Sequence, residues 1–217
     1  MLHCKMGDLK HIVRALRLPD VMRLDLSFPL PRKSLKSCHI PCVLPKVLGM
    51  VLPNLQEVNL SGVSSDLSSG VTALFKSCPR LKTFHFNDMY GHWFHISGDC
   101  ISKAVCLKDL QLDRNEFYFG SVEPFEPLFG ADGSLQVSLP FLAACNSHLE
   151  RVSLIAPKVN NNQAVVEAVP EIAIMLLVRL TPTLKWFRSS LSAPNIATLR
   201  AERPEVRFVN EHDEEWT

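Results

Sequence analysis

The densest group of side chains able to ligate a metal is His85, His92, His95, Asp99 and Cys100, in the stretch HFNDMYGHWFHISGDC. Imidazole, thiolate and carboxylate together could hold zinc or a similar cation. Their spacing matches no zinc pattern, and it puts His85 on a strand while His92 and His95 fall in the turn that follows. Cys38 and Cys42 bracket His39 in C-H-I-P-C, a half-site without a second half. Neither group is expected to bind metal, and no cofactor is expected. Serine, histidine and aspartate for a hydrolase are present, but no nucleophile elbow, phosphate loop or dinucleotide fingerprint accompanies them. The glycine-bearing runs LSSG and GADG lack the spacing that cradles phosphate. The chain is therefore expected not to be an enzyme, and a metal-dependent enzyme centred on His85 to Cys100 is the least favoured alternative.

Bulk properties narrow the remaining classes. Lys plus Arg (23) balances Asp plus Glu (22), leaving a net charge of +1 and none of the basic excess expected of a nucleic-acid binder. Apolar residues at 47% and charged residues at 21% suit a folded soluble protein. MLHCKMGDLK lacks the apolar core of a secretory signal. The longest apolar tract, Ala164 to Leu180, is broken by Glu167, Pro170, Glu171 and Arg179, so a buried helix is expected there rather than a membrane span. Seven cysteines, an odd number, read as free thiols, which predicts the cytoplasm or nucleus.

The elements that would position any site follow from a recurring pattern. VMRLDL, LQEVNL, LKTFHF, LKDLQL, LERVSL and LKWFRS, beginning at Val21, Leu55, Leu81, Leu107, Leu149 and Leu184, align on L-x-x-L-x-L, and Ser189 alone of the 18 template positions is not apolar. Leu107 to Asn115 continues to L-x-x-L-x-L-x-x-N. A partial seventh copy, VRFVN from Val206, closes the series, and the starts stand 34, 26, 26, 42, 35 and 22 residues apart. Two residues before these starts stand Pro19, Pro53, Pro79, Val105, Ser147, Pro182 and Pro204. Five prolines at seven joints, out of 15 in the chain, mark places where a helix must stop and a strand begin.

Between the copies the spacing becomes helical. Leu9, Ile12, Val13 and Leu16 form one stripe after Asp8; Leu67, Val71, Leu74 and Phe75 form another after Ser64, Ser65 and Asp66. Val47, Leu48, Val51 and Leu52 follow Pro45; Phe141, Leu142 and Cys145 follow Ser138 and Pro140; Ile196 and Leu199 follow Ser192 and Pro194. Pro170 is expected to kink or divide a helix spanning Gln163 to Arg179.

This alternation is the signature of leucine-rich repeats. The stretch C-P-x-L-x-x-L-x-L from Cys78 to Phe86 resembles repeats of the ribonuclease-inhibitor-like class, including the cysteine-containing repeats of F-box proteins, and the resemblance runs from about Gly7 to Asn210. It implies an α/β leucine-rich repeat solenoid, a right-handed horseshoe with short parallel strands on the concave side and helices on the convex side. The expected organisation is one domain of about seven irregular repeats over 1–210, with an acidic tail, EHDEEWT, over 211–217. Such proteins bind other proteins, which makes a non-enzymatic interaction module the leading expectation. Substrate recognition for a ubiquitin ligase is the alternative, although this chain begins directly with repeat-like sequence where F-box members carry an F-box.

In such an array the template residues point inward and the residues between them form outward columns. The first reads Arg23, Glu57, Thr83, Asp109, Arg151, Trp186; the second Asp25, Asn59, His85, Gln111, Ser153, Arg188; the third Ser27, Ser61, Asn87, Asp113, Ile155, Ser190. Only Trp186 and Ile155 of these 18 are not polar, as a solvated sheet face requires. The first two columns and Asp113 are the expected contact surface for a protein or peptide, acidic near Asp109 and Asp113. Trp186 is either its anchor or an indole tucked inward. No nucleic acid or membrane partner is expected, and the chain is expected to be a monomer. The aromatic insertion from Asn115 to Gln136, with Phe117, Tyr118, Phe119, Phe125 and Phe129, either caps its neighbours or forms a contact loop.

Overall fold

Three- and four-residue strands that alternate outward polar with inward apolar side chains make up the main sheet. The computed structural model describes residues 18–27, 44–62, 68–88, 104–118, 128–129, 135–136, 148–160 and 166–211. In chain order the elements are β1 (Arg23–Asp25), α1 (Leu44–Val51), β2 (Glu57–Asn59), α2 (Ser68–Ser77), β3 (Thr83–His85), β4 (Asp109–Gln111), β5 (Glu116–Tyr118), β6 (Leu128–Phe129), β7 (Leu135–Gln136), β8 (Arg151–Leu154), β9 (Lys158–Asn160), β10 (Val166–Ala168), α3 (Glu171–Leu180), β11 (Trp186–Ser189), α4 (Ala193–Glu202) and β12 (Arg207–Asn210). Seven of these strands form an all-parallel sheet in the order β1-β2-β3-β4-β8-β11-β12, so each strand lies beside its nearest predecessor and successor in the chain.

The register follows the template spacing through five of the six pairs: Arg23↔Glu57, Glu57↔Thr83, Thr83↔Asp109, Asp109↔Arg151 and Arg151↔Trp186. The sixth departs from it. Trp186 pairs with Arg207, 21 residues on, where the template start at Val206 called for 22. Pleat alternation explains the slip. Val206 and Phe208 are buried and Arg207 is exposed, and the expected register would have turned Phe208 outward.

Inward template residues of β2, β3, β4, β8 and β11 are buried throughout, and with the helices they form one core cluster. Phe75 meets Phe84 edge-on at 5.0 Å, Phe84 stacks on Phe86 at 5.7 Å, and Phe187 meets Phe208 edge-on at 6.3 Å. Each such ring contributes roughly 2–3 kcal/mol on burial. Ser189, the polar template position, is buried too, and its Oγ accepts from the Leu191 N–H at 3.4 Å. Val21, Leu24 and Leu26 around β1 are only partly buried. On the helical side Gly49 lets α1 approach α2: a Cβ there would stand 2.6 Å from the Ser77 Cβ.

Two backbone devices recur from strand to strand. Before the strands, the N–H of Val21, Leu55, Leu81, Leu107, Leu184 and Val206 donates three residues back, to the carbonyls of Leu18, Leu52, Cys78, Ala104, Thr181 and Arg203. The joint prolines occupy the second position of this turn, which proline's fixed φ favours. After the strands, Gly62, Asp88, Arg114 and Ala156 stand at equivalent places and all have positive φ, from 42° to 74°. Only the first is glycine, the residue that adopts this conformation without cost.

Among the described residues of the tract from Gln163 to Arg179, Pro170 neither kinks nor divides a helix but separates a strand from one. Val166–Ala168 is a strand, Pro170 takes extended angles (φ −57°, ψ 135°), and α3 starts at Glu171. Proline's missing N–H suits the helix start, and β-branched valines favour the strand before it. β10 pairs antiparallel with β9, which pairs parallel with β5, and β6 and β7 form a short antiparallel pair. The insertion expected from Asn115 thus opens with a strand that joins a second sheet. The stripes Leu9 to Leu16 and Phe141 to Cys145, and Leu67, lie outside the described residues, as do Cys38, Cys42, His92, His95 and Cys100. Among the described residues no helix is long and apolar enough to cross a membrane.

Candidate functional site

The outward face of the parallel sheet gathers the first two columns into one surface. In the first, Arg23 Nε lies 2.9 Å from Glu57 Oε2 across β1 and β2, and Arg151 Nε lies 3.1 Å from Asp109 Oδ2 across β8 and β4. Both are register neighbours, the geometry in which opposite charges meet across strands. The Arg151 guanidinium also sits 4.5 Å from the Trp186 ring centroid, a cation–π contact. Trp186 is half-buried at an outward strand position, so its indole is not tucked into the core. Thr83 lies between these charged groups and is half-buried.

In the second column Asn59 Nδ2 donates to Asp25 Oδ2 at 3.4 Å, and the Ser27 N–H donates to Asp25 Oδ1 at 2.8 Å. The Ser27 bonds hold the Asp25 carboxyl below its usual range, helped by Asn59 and the charge of His85. His85 Nε2 faces Asp109 Oδ1 diagonally at 3.5 Å. Gln111 and Arg188 flank Ser153 in register.

Two members of the expected contact surface are not on it. Ser153 is 1% exposed, and its Oγ donates to Asp113 Oδ1 at 2.7 Å; its short side chain lies beneath its longer neighbours. Asp113 is 3% exposed. The third column lies just beyond the strand ends, where pleat alternation stops and backbone N–H groups need acceptors. Its short polar side chains supply them. The Asn87 N–H donates to Ser61 Oγ (3.1 Å), the Asp113 N–H to Asn87 Oδ1 (2.8 Å), the Ile155 N–H to Asp113 Oδ1 (2.9 Å) and the Ala156 N–H to Ser190 Oγ (2.9 Å). This column braces neighbouring strand ends instead of presenting ligand contacts. Ile155, at the same level, is fully buried. Burial pushes the Asp113 carboxyl up, against the bonds from Ser153 and Ile155 and the charges of Arg188 and Arg114. Arg188 Nη1 approaches Asp113 Oδ2 to 3.7 Å, over the small Ser153. Asn115, which completes the longer template, is buried, and its Nδ2 donates to the Phe86 carbonyl.

One charged feature of this surface escaped the column pattern. At the rim where the strands begin, Glu150 accepts from Lys108 Nζ at 2.6 Å and from Lys185 Nζ at 2.7 Å, tying together the approaches to β4, β8 and β11. The bonds from Lys108 and then Lys185 hold the Glu150 carboxyl at about 2. Alternating Lys and Glu at the second template position (Lys108, Glu150, Lys185) was its signal in the sequence. Among the described residues, no group of three or more His, Cys, Asp or Glu side chains could hold a metal ion. No protein-family model and no curated protein matches this sequence.

Proposed function

We propose that this chain is a leucine-rich repeat solenoid, one domain over 1–210 followed by an acidic tail, and that it binds another protein or a peptide on the concave face of its sheet without catalysing a reaction. The observation that carries the reading is the seven-stranded parallel sheet whose strands lie in chain order. An array of that kind offers a long outward face assembled from equivalent positions, the surface such arrays use for partners. The face is polar, carries both charges, and has one aromatic side chain, Trp186, at an outward position. Arg and Trp are the side chains most enriched where binding energy concentrates. The described cysteines, Cys78 and Cys106, are free, which suits a reducing compartment such as the cytoplasm or nucleus.

Affinity capture with the wild-type chain and a Gln111→Arg, Trp186→Ala double variant tests the reading, after circular dichroism has verified that both fold. The double variant is expected to lose partners that the wild type retains. Equal recovery of the same partners by both would place binding elsewhere.

A further inference from the structure

The charges of the outward face are not spread evenly. Asp25, Glu57 and Asp109 occupy its first four strands, whereas the outward positions of β8, β11 and β12 are Arg151, Ser153, Trp186, Arg188, Arg207 and Val209, without a carboxylate. Arg151, Trp186 and Arg207 form one row in register, with the indole between two guanidiniums on adjacent strands. Neighbouring strands are about 4.8 Å apart, so the two arginines can straddle a group seated on the ring. Arg151 is already stacked on that ring and tied to Asp109. Arg207 is exposed and forms no ion pair among the described residues.

Resting on the concave-face reading above, we propose that this end of the face takes an acidic peptide segment of the partner protein, with an apolar side chain seated on Trp186 and a carboxylate on Arg207. Guanidinium matches a carboxylate bidentately, and a stacked indole offers rigid apolar area beside it. A nucleic acid fits less well. The same face turns acidic toward β1, and the chain as a whole carries only +1.

The test uses the full chain and fluorescein-labelled probes read by anisotropy. The probes are an Asp/Glu-rich peptide of about 16 residues with a single Phe, its Lys-for-acid counterpart, an uncharged peptide with the same Phe, and a single-stranded oligonucleotide of similar charge. The acidic peptide is expected to bind best and to weaken as salt rises. Its Kd should increase about tenfold or more with Arg207→Glu or with Trp186→Ala. Lys76→Glu, exposed in the last turn of α2 and off this face, should leave it unchanged. Thermal melts establish that each variant is folded. No binding of the acidic probe, equal binding of the Lys peptide, tighter binding of the oligonucleotide, or indifference to Arg207→Glu would each overturn the inference. Binding of the uncharged probe that depends on Trp186 but not on Arg207 would overturn the acidic specificity and leave the face reading standing. Binding insensitive to every variant on the face would end both.

Discussion

Asp113 is where burial and charge oppose each other most directly. Its carboxylate is almost sealed from water, yet it accepts from the Ser153 hydroxyl and the Ile155 N–H, and Arg188 approaches it. Burial is the larger influence and pushes its titration upward from the usual value near 3.8. Because the folded form holds its proton more tightly than the unfolded chain, this site favours folding fully below that value. The contribution fades as pH rises through the higher, folded-state value. An asparagine keeps the Oδ1 acceptor and removes the buried charge, so Asp113→Asn is expected to leave neutral-pH stability within about 1 kcal/mol of wild type. Asp113→Ala strands a buried N–H and a hydroxyl and is expected to cost about 2–4 kcal/mol in urea denaturation. If Asn were as damaging as Ala, the carboxylate's ion pairs and not its acceptor role would be what the site depends on.

At the scale of elements, the joint turns show how a residue type maps onto a conformation. Pro19, Pro53, Pro79, Pro182 and Pro204 hold the second turn position, and Val105 stands in the same place, 57% exposed, before β4. Val105→Pro is therefore expected to stabilise by about 0.4–1 kcal/mol by narrowing the unfolded ensemble, seen as a higher Tm. The rim triad gives a pH-dependent counterpart. Glu150, held at about 2 by Lys108 and Lys185, favours folding above its ordinary value of 4.5, and that contribution is lost as pH falls from 4.5 toward 2. The group is half-buried at the rim, so Glu150→Gln should lower neutral-pH stability modestly and flatten the acid limb of the stability curve by the same amount, the two proteins converging toward pH 2. An unchanged acid limb would mean that the loss there comes from other carboxylates held low by partners, such as Glu171 and Glu202.

These elements also show which physics a sequence displays. Strand spacing and the prolines were legible because burial and φ select residue type directly. The left-handed positions were not, because Asp88, Arg114 and Ala156 adopt positive φ without being glycine. The second sheet was hidden because Val166 to Ala168 sits in an apolar tract that reads equally as helix. The outward columns were legible along the strands except at Ser153 within β8, and misleading one step beyond the strand ends at Asp113. Both side chains satisfy neighbouring groups within the molecule and are closed to a partner.

For the whole molecule the decisive fact is that each strand of the main sheet pairs only with its chain-order neighbours. On the solenoid reading proposed above, stability is a sum of local units and nearest-neighbour interfaces, so damage is expected to spread outward from its origin and fade. Phe84 gives a clean place to apply it. Its ring is fully buried in β3, in contact with the Phe75 and Phe86 rings. Phe84→Ala is expected to cost about 3–5 kcal/mol locally. Native-state hydrogen exchange should then show lost protection in peptides covering α2 and β2 to β4. Peptides from α4 and β12 should keep theirs, since Phe187 packs on Phe208 and Arg179 pairs with Glu202, both remote from the lesion. An equal loss of protection at both ends would mean that the continuous core couples the strands into one cooperative unit. Nearest-neighbour pairing would then set the register but not the stability, and a partner bound at Trp186 would stiffen β1 as much as β12.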